Sequence, residues 1–226
     1  MKKLLIFVVL ILPLVSFVQA QEKPYIAVTG ESVVKVMPDY AIVKVRVEAN
    51  AKAASEAKKK HDISVDAVLK LLKKMKFDSK EIATQYMHLN KTYDYNTKEY
   101  NYVATQSIHI TLKDFNKYEA LLQGLFESGV NSIDGIQFAT TEFEKHKVSA
   151  RKLAIQQAKQ KAIEYAGELN QAVGKAIVIS EFENINVPRF DQKMALEEVV
   201  VSGYRETIAI GEILVTAKVN VTFELK

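Results

Sequence analysis

From Ile213 to Leu225 every second residue is apolar: Ile213, Val215, Ala217, Val219, Val221, Phe223 and Leu225. Mostly polar residues fill the positions between. A period of two puts one face of a strand on a core and the other in water. Such a strand belongs to an antiparallel-type sheet, and a second layer must cover its apolar side. Tyr40–Ala49 repeats the pattern, with Ala41, Val43, Val45, Val47 and Ala49 alternating with Lys44, Arg46 and Glu48. A short strand is expected before it at Tyr25–Thr29, and Pro38-Asp39 separates the two.

The covering layer is written in a different period. Between Lys52 and Lys76, His61, Val65, Val68, Leu69, Leu72 and Met75 recur three and four apart, which predicts an amphipathic helix. Its many lysines read as a solvated face. Asp114 caps a shorter helix on which Tyr118, Leu121, Leu122, Leu125 and Phe126 share a side, and Gly129 ends it. The third helix runs over Glu144–Leu169, with Ile155, Ala158, Ala162, Tyr165, Ala166 and Leu169 as its stripe. Further strands are expected at Ile82–Tyr95, Tyr100–Leu112, Ile133–Thr141 and Lys175–Phe182. The fold class is therefore α+β, with antiparallel sheets and helices packed on one face. Residues 184–204 lack periodicity and read as a long loop, which is functional or mobile at that length.

The opening, MKKLLIFVVLILPLVSFVQA, has two lysines, an apolar run and a Val18-Gln19-Ala20 cleavage pattern. This reads as a signal peptide over residues 1–20. Pro13 interrupts the run, which falls short of the roughly 20 residues a bilayer helix needs. No other stretch reads as a transmembrane helix. The formal charge is +4, and loss of Lys2 and Lys3 takes it to +2. That near-balance, with export, argues against nucleic acid as a partner. The chain has no cysteine, so its stability rests on its core and not on disulfides.

The stretch TYDYNTKEYNY (92–102) carries Tyr93, Tyr95, Tyr100 and Tyr102 around a polar centre. We read it as a hairpin tip with Tyr95 opposite Tyr100 across Asn96–Glu99. Tyr93 then faces Tyr102, Leu89 faces Gln106, and Met87 faces Ile108. All four tyrosines fall on the face that continues through Ile108, Ile110 and Leu112. Such a patch suits a subunit contact, because the ring buries while the hydroxyl stays wet. Stacking on a small ligand or glycan is the alternative use of the same rings.

The same register puts His88 opposite Ser107 and His109 opposite Tyr86. Both then share a face, without enough further ligands for zinc. No nucleophile–base motif, phosphate loop or dinucleotide fingerprint is present. The sequence reading is therefore a non-enzyme without metal or cofactor.

The order of these elements resembles SIMPL-domain proteins. GESVVKVMPDYAIVKVRVEA resembles the family's start, and the Tyr-x-Tyr hairpin leading to Tyr102-Val103-Ala104 its middle. SIDGIQF, then ARKLAIQQAKQKAIEYAGELNQAVGKAIVISE, resembles its alanine-rich helix and following strand, and GEILVTAKVNVTFELK its end. Two departures affect turns. Asn170-Gln171 stands where glycine is usual, and Phe77-Asp78 replaces the glycine after the first helix; Asn and Asp tolerate the left-handed turn conformation. The resemblance implies a SIMPL-like domain over 21–226, one unit or two α+β subdomains. It also implies a periplasmic or outer-membrane-associated location, a link to oxidative-stress defence, and a homo-oligomer. The family offers no established catalytic residues to carry over.

Overall fold

The computed structural model describes residues 23–181, 189–190 and 210–226. The expected signal peptide lies outside the described residues, as does the 184–204 loop apart from residues 189 and 190. The fold is α+β, as the periodicities predict, and its strands form two separate antiparallel sheets.

The first sheet holds β1 (Tyr25–Val36), β7 (Val173–Glu181), β8 (Arg189–Phe190) and β9 (Ile213–Leu225). Its order is β1-β9-β7, with β8 also paired to β9. The alternating strand β9 sits at the centre, and Ile213, Val215, Ala217, Val219, Val221 and Phe223 are all buried. The helix α3 (Phe143–Glu168) covers them.

That helix corrects the sequence reading. The buried stripe is Ala150, Ala154, Ala158, Ala162 and Ala166, whereas Ile155, Tyr165 and Leu169 are exposed. The reason lies in β1, which is longer than expected and continues through Gly30. A Cβ on Gly30 would stand 1.9 Å from the Ala154 carbonyl oxygen. The helix backbone thus touches the strand backbone, and only the smallest side chains fit such an approach. Hydrogen bonds fix the contact. Ser32 Oγ donates to the Ala150 carbonyl at 2.6 Å, and Lys161 Nζ donates to the Thr29 carbonyl at 3.0 Å. On the other flank Arg151 Nε meets the Glu181 carboxylate at 2.8 Å. Lys147, buried under the helix, donates to the Thr216 carbonyl at 2.9 Å.

The second sheet holds β2 (Tyr40–Ala51), β3 (Ile82–Thr84), β4 (His88–Asp94), β5 (Glu99–Leu112) and β6 (Ser132–Ala139). Its order is β3-β5-β2-β6, with β4 continuing the β3 edge against β5. The helices α1 (Ala54–Lys74) and α2 (Tyr118–Glu127) provide its cover. Val43, Val45 and Val47 meet Val68 and Leu72 of α1 and Leu121 and Leu125 of α2 in one core. Fully burying each such leucine contributes about 1.5–3 kcal/mol. Leu69 and Phe126, expected on the buried stripes, are exposed.

Turn chemistry follows the sequence at some points and departs at others. Gly129 closes α2 at φ 92°, and Asn170 takes φ 53° after α3. After α1 the left-handed residue is Lys76, at φ 64°, and not Asp78. Asp78 instead caps a short 3₁₀ turn over Ser79–Glu81, in a reciprocal box with Glu81. Asp114 likewise caps a 3₁₀ turn, Phe115–Lys117, that leads into α2.

The second sheet and its helices occupy one continuous stretch, from Tyr40 to Ala139. Two connections join it to the first sheet, β1 to β2 and β6 to α3. They run side by side, with the Asp39 amide donating to the Ala139 carbonyl at 3.1 Å.

Candidate functional site

The tyrosine stretch forms a hairpin, but in a register two residues from the one expected. Tyr93 lies opposite Tyr100, Lys91 opposite Tyr102, and Leu89 opposite Ala104. Thr84, not Met87, faces Ile108. The loop is still four residues long, but it comprises Tyr95–Lys98 and is closed by the Asp94–Glu99 pair. Asp94 explains the shift. Its carboxylate accepts from the amides of Asn96, at 2.8 Å, and Thr97, at 3.4 Å, a turn that needs Asp94 at the loop's edge. The Asn96 amide, followed by Thr97, holds this carboxyl below its ordinary range. Lys98 closes the loop at φ 55°.

A slip of two preserves which face each side chain takes. Tyr93, Tyr100 and Tyr102 therefore remain on the face of Ala104, Ile108 and Ile110, while Tyr95 moves from the ladder into the turn. The rings of Tyr93 and Tyr100 lie 5.0 Å apart, and Tyr95 meets Tyr93 edge-on at 5.1 Å. Lys91 Nζ sits 4.5 Å above the Tyr100 ring, a cation–π contact.

The sheet carries this face beyond its helix. Tyr102 packs with Met87 against Ala51, Ala57 and Ala104, at the first turn of α1. Past that turn no helix among the described residues covers β4 and β5, and Tyr100 is 57% and Tyr95 84% exposed. An ion pair from Lys52 to Glu99 ties the hairpin back to the segment before α1. The structure thus joins three of the predicted tyrosines, with Tyr93 touching both Tyr95 and Tyr100, while Tyr102 lies on the same face and packs inward. The tyrosines offer ring faces and hydroxyls.

The histidines are placed differently from the sequence reading. His88 faces Thr105, and His109 faces Ala83 and Lys44. The two share a face but are four residues apart along β5, about 13 Å of strand. Among the described residues no three His, Cys, Asp or Glu side chains come together to hold a metal ion. No helix among them is long and apolar enough to cross a membrane. Sequence reasoning missed one feature here. Residues 85–87 interrupt the edge strand, and Tyr86 stands in solvent between β3 and β4. The interruption has no composition signal, because Gln, Tyr and Met all fit a strand.

The two-sheet order, with the alanine helix ahead of β7 and the alternating strand last, agrees with a match to a known family profile. The SIMPL profile, described as a protein of unknown function (DUF541), matches residues 26–223. The chain belongs to the SIMPL family. Among its relatives, Uncharacterized protein YggE of Escherichia coli K12 is 26% identical over 206 residues, covering 90% of this chain and 84% of that protein. The 26 kDa periplasmic immunogenic protein of Brucella melitensis is 26% identical over 211 residues, covering 89% of this chain and 84% of the relative. A human relative, Interleukin-1 receptor-associated kinase 1-binding protein 1, is 28% identical over 206 residues, covering 89% and 76%. The chain is thus similar to bacterial and human proteins at comparable identity.

Proposed function

We propose that this SIMPL protein is a non-enzymatic component of the cell envelope that assembles with copies of itself through the tyrosine hairpin. One observation carries the reading. The hairpin extends a buried apolar face past the end of its covering helix and finishes in the exposed rings of Tyr95 and Tyr100. A continuous apolar face that leaves the body of a protein is the signature of a contact surface. The aromatic composition and the single Lys91 suit an interface, where rings bury and hydroxyls reach the rim. The edge strand β7 adds a second exposed apolar run in Ile177, Val178 and Ile179.

The envelope location rests on the sequence of residues 1–20 and on the name of the Brucella relative, which is a periplasmic immunogenic protein. The periplasm or the outer membrane's inner surface is the proposed site. A role in oxidative-stress defence belongs to the same proposal through the family resemblance. It would operate without thiol chemistry, because the chain has no cysteine.

Replacing Tyr93, Tyr95, Tyr100 and Tyr102 with serine tests the assembly. Native mass spectrometry of the wild-type protein should show an oligomer, and the variant should shift towards single-chain mass with its far-UV spectrum intact. A variant that loses thermal stability but keeps its native mass would mean that the tyrosines serve only their own subunit. A wild-type monomer at tens of micromolar would overturn the proposal and promote ligand stacking as the use of these rings.

A further inference from the structure

Between Thr84, paired with Ile108, and His88, paired with Thr105, the edge strand advances four residues while β5 advances three. The extra residue makes a bulge, a device that re-aims side chains beside functional sites. Both flanks of the bulge are fixed. The Gln85 amide donates to the Ser107 carbonyl at 2.9 Å. Gln106 Nε2 donates to the Gln85 carbonyl at 2.6 Å, so a side chain replaces a lost ladder bond. On the other side Met87 packs against the small core near Tyr102. Tyr86, held between two anchored neighbours, is 91% exposed.

The ring stands at an open depression of 760 Å³ lined by Thr84, Gln85, Tyr86, Met87, His88 and Gln106. Its volume falls within the roughly 300–1,000 Å³ typical of small-ligand sites. The lining contains no Lys, Arg, Asp or Glu. A charged ligand would find no counter-charge there, and a wholly apolar one would strip water from two amides and an imidazole without replacing it. What the lining offers is one free aromatic face, two carboxamides, a hydroxyl and an imidazole. Gln106 Nε2 is engaged by the Gln85 carbonyl and Gln85 Nε2 lies 3.5 Å from His109 Nε2, so both carboxamides offer their Oε1 atoms as acceptors for hydroxyls. A neutral ligand with an apolar C–H face and adjacent hydroxyls matches this set.

We propose that the β3–β4 bulge is a saccharide-binding site, in which Tyr86 stacks on a pyranose ring and Gln85, Gln106 and His88 bond its hydroxyls. The site is separate from the hairpin surface and does not depend on the assembly reading.

Saturation-transfer NMR on the purified protein, with maltotriose and chitotriose as probes, tests it. Transfer to sugar ring protons is expected with at least one probe. Tyr86→Ala should weaken binding by about tenfold, and Tyr86→Phe should retain it. Tyr95→Ser should leave binding unchanged, which separates this site from the hairpin rings. An amide-correlation spectrum checks that each variant is folded, and Gln85→Leu gives an independent loss of binding without touching the ring. Absence of transfer with both sugars, or equal transfer in Tyr86→Ala and wild type, overturns the proposal. Native mass should not change in Tyr86→Ala, Tyr86→Phe or Gln85→Leu, so the outcome is independent of self-assembly.

Discussion

The carboxylate of Asp39 accepts three hydrogen bonds from Thr141, a residue 102 positions away in sequence. The Thr141 amide donates to both oxygens, at 2.9 and 3.1 Å, and the hydroxyl donates at 2.5 Å. Asp39 lies on the connection from β1 to β2, and Thr141 on the connection from β6 to α3. The pair therefore clips together the two segments that join the sheets. Bonds to a charged acceptor are each worth about 1.5–3 kcal/mol when buried, and less at an exposed position such as this. Asp39→Ala should destabilise the protein by about 1–2 kcal/mol in chemical denaturation, and Asp39→Asn by less, because one acceptor oxygen survives. Equal stability of Asp39→Ala and wild type would show that the clip contributes nothing.

Gly30 should tolerate no side chain. A Cβ there would meet the Ala154 carbonyl oxygen at 1.9 Å and the Ala158 Cβ at 2.9 Å. The first of these atoms is helix backbone, which cannot swing away. Gly30→Ala should cost about 2 kcal/mol or more, the scale of an overpacked core, and should lower the thermal midpoint by several degrees. Gly167, whose added Cβ meets nothing within 4 Å, is the control. Gly167→Ala should be neutral or mildly stabilising, because alanine is the better helix former.

His61 is buried in α1 with its Nε2 lacking any hydrogen-bond partner. Its Nδ1 reaches only Asp62, at 3.3 Å. A buried polar atom left unsatisfied costs about 1–3 kcal/mol. His61→Leu should therefore be neutral or stabilising in urea titration, unlike most core substitutions. A loss above about 2 kcal/mol would mean that the imidazole fills its space in a way leucine cannot.

Acid should weaken the segment that follows α1. Glu81 pairs with Lys113 at 2.9 Å and accepts from the Asp78 amide at 2.9 Å. Lys113 first, and then that amide, hold the Glu81 carboxyl below its ordinary value of 4.5. The folded state thus binds this proton more weakly than the unfolded chain. The stabilisation is complete above the ordinary value and disappears as pH falls through the lower folded one. In thermal melts between about pH 3 and 6, Glu81→Gln should flatten part of the acid decline of the wild type. Parallel curves for the two proteins would remove Glu81 from the acid response.

Several features of this chain are legible in its sequence alone. β9 needed no tertiary information, because strict alternation over thirteen residues permits only a strand with one buried face. His61, Val68 and Leu72 were placed on the buried side of α1 by spacing alone. Tyr93, Tyr100 and Tyr102 keep the shared face that the sequence predicts, because a slip of two leaves parity intact, whereas Tyr95 leaves it for the turn.

Other features had no local signature. The alanines of α3 lie inward because β1 brings Gly30 against the helix backbone, and the helix's own sequence favours its larger residues for that role. The hairpin closes one residue early because Asp94 caps two amides, a preference that competes with pairing the tyrosines. The bulge at Gln85–Met87 depends on Gln106 replacing a ladder bond from the neighbouring strand.

The sequence by itself determined the period of each element, and so its type, its apolar face and the α+β class, because side-chain direction along a strand or helix is fixed by backbone geometry. Only the tertiary structure decided which elements share a sheet, how closely α3 approaches β1, and where Asp39 meets Thr141 or Tyr86 leaves the ladder. Those outcomes depend on contacts between residues distant in the chain, whose energies no single segment encodes.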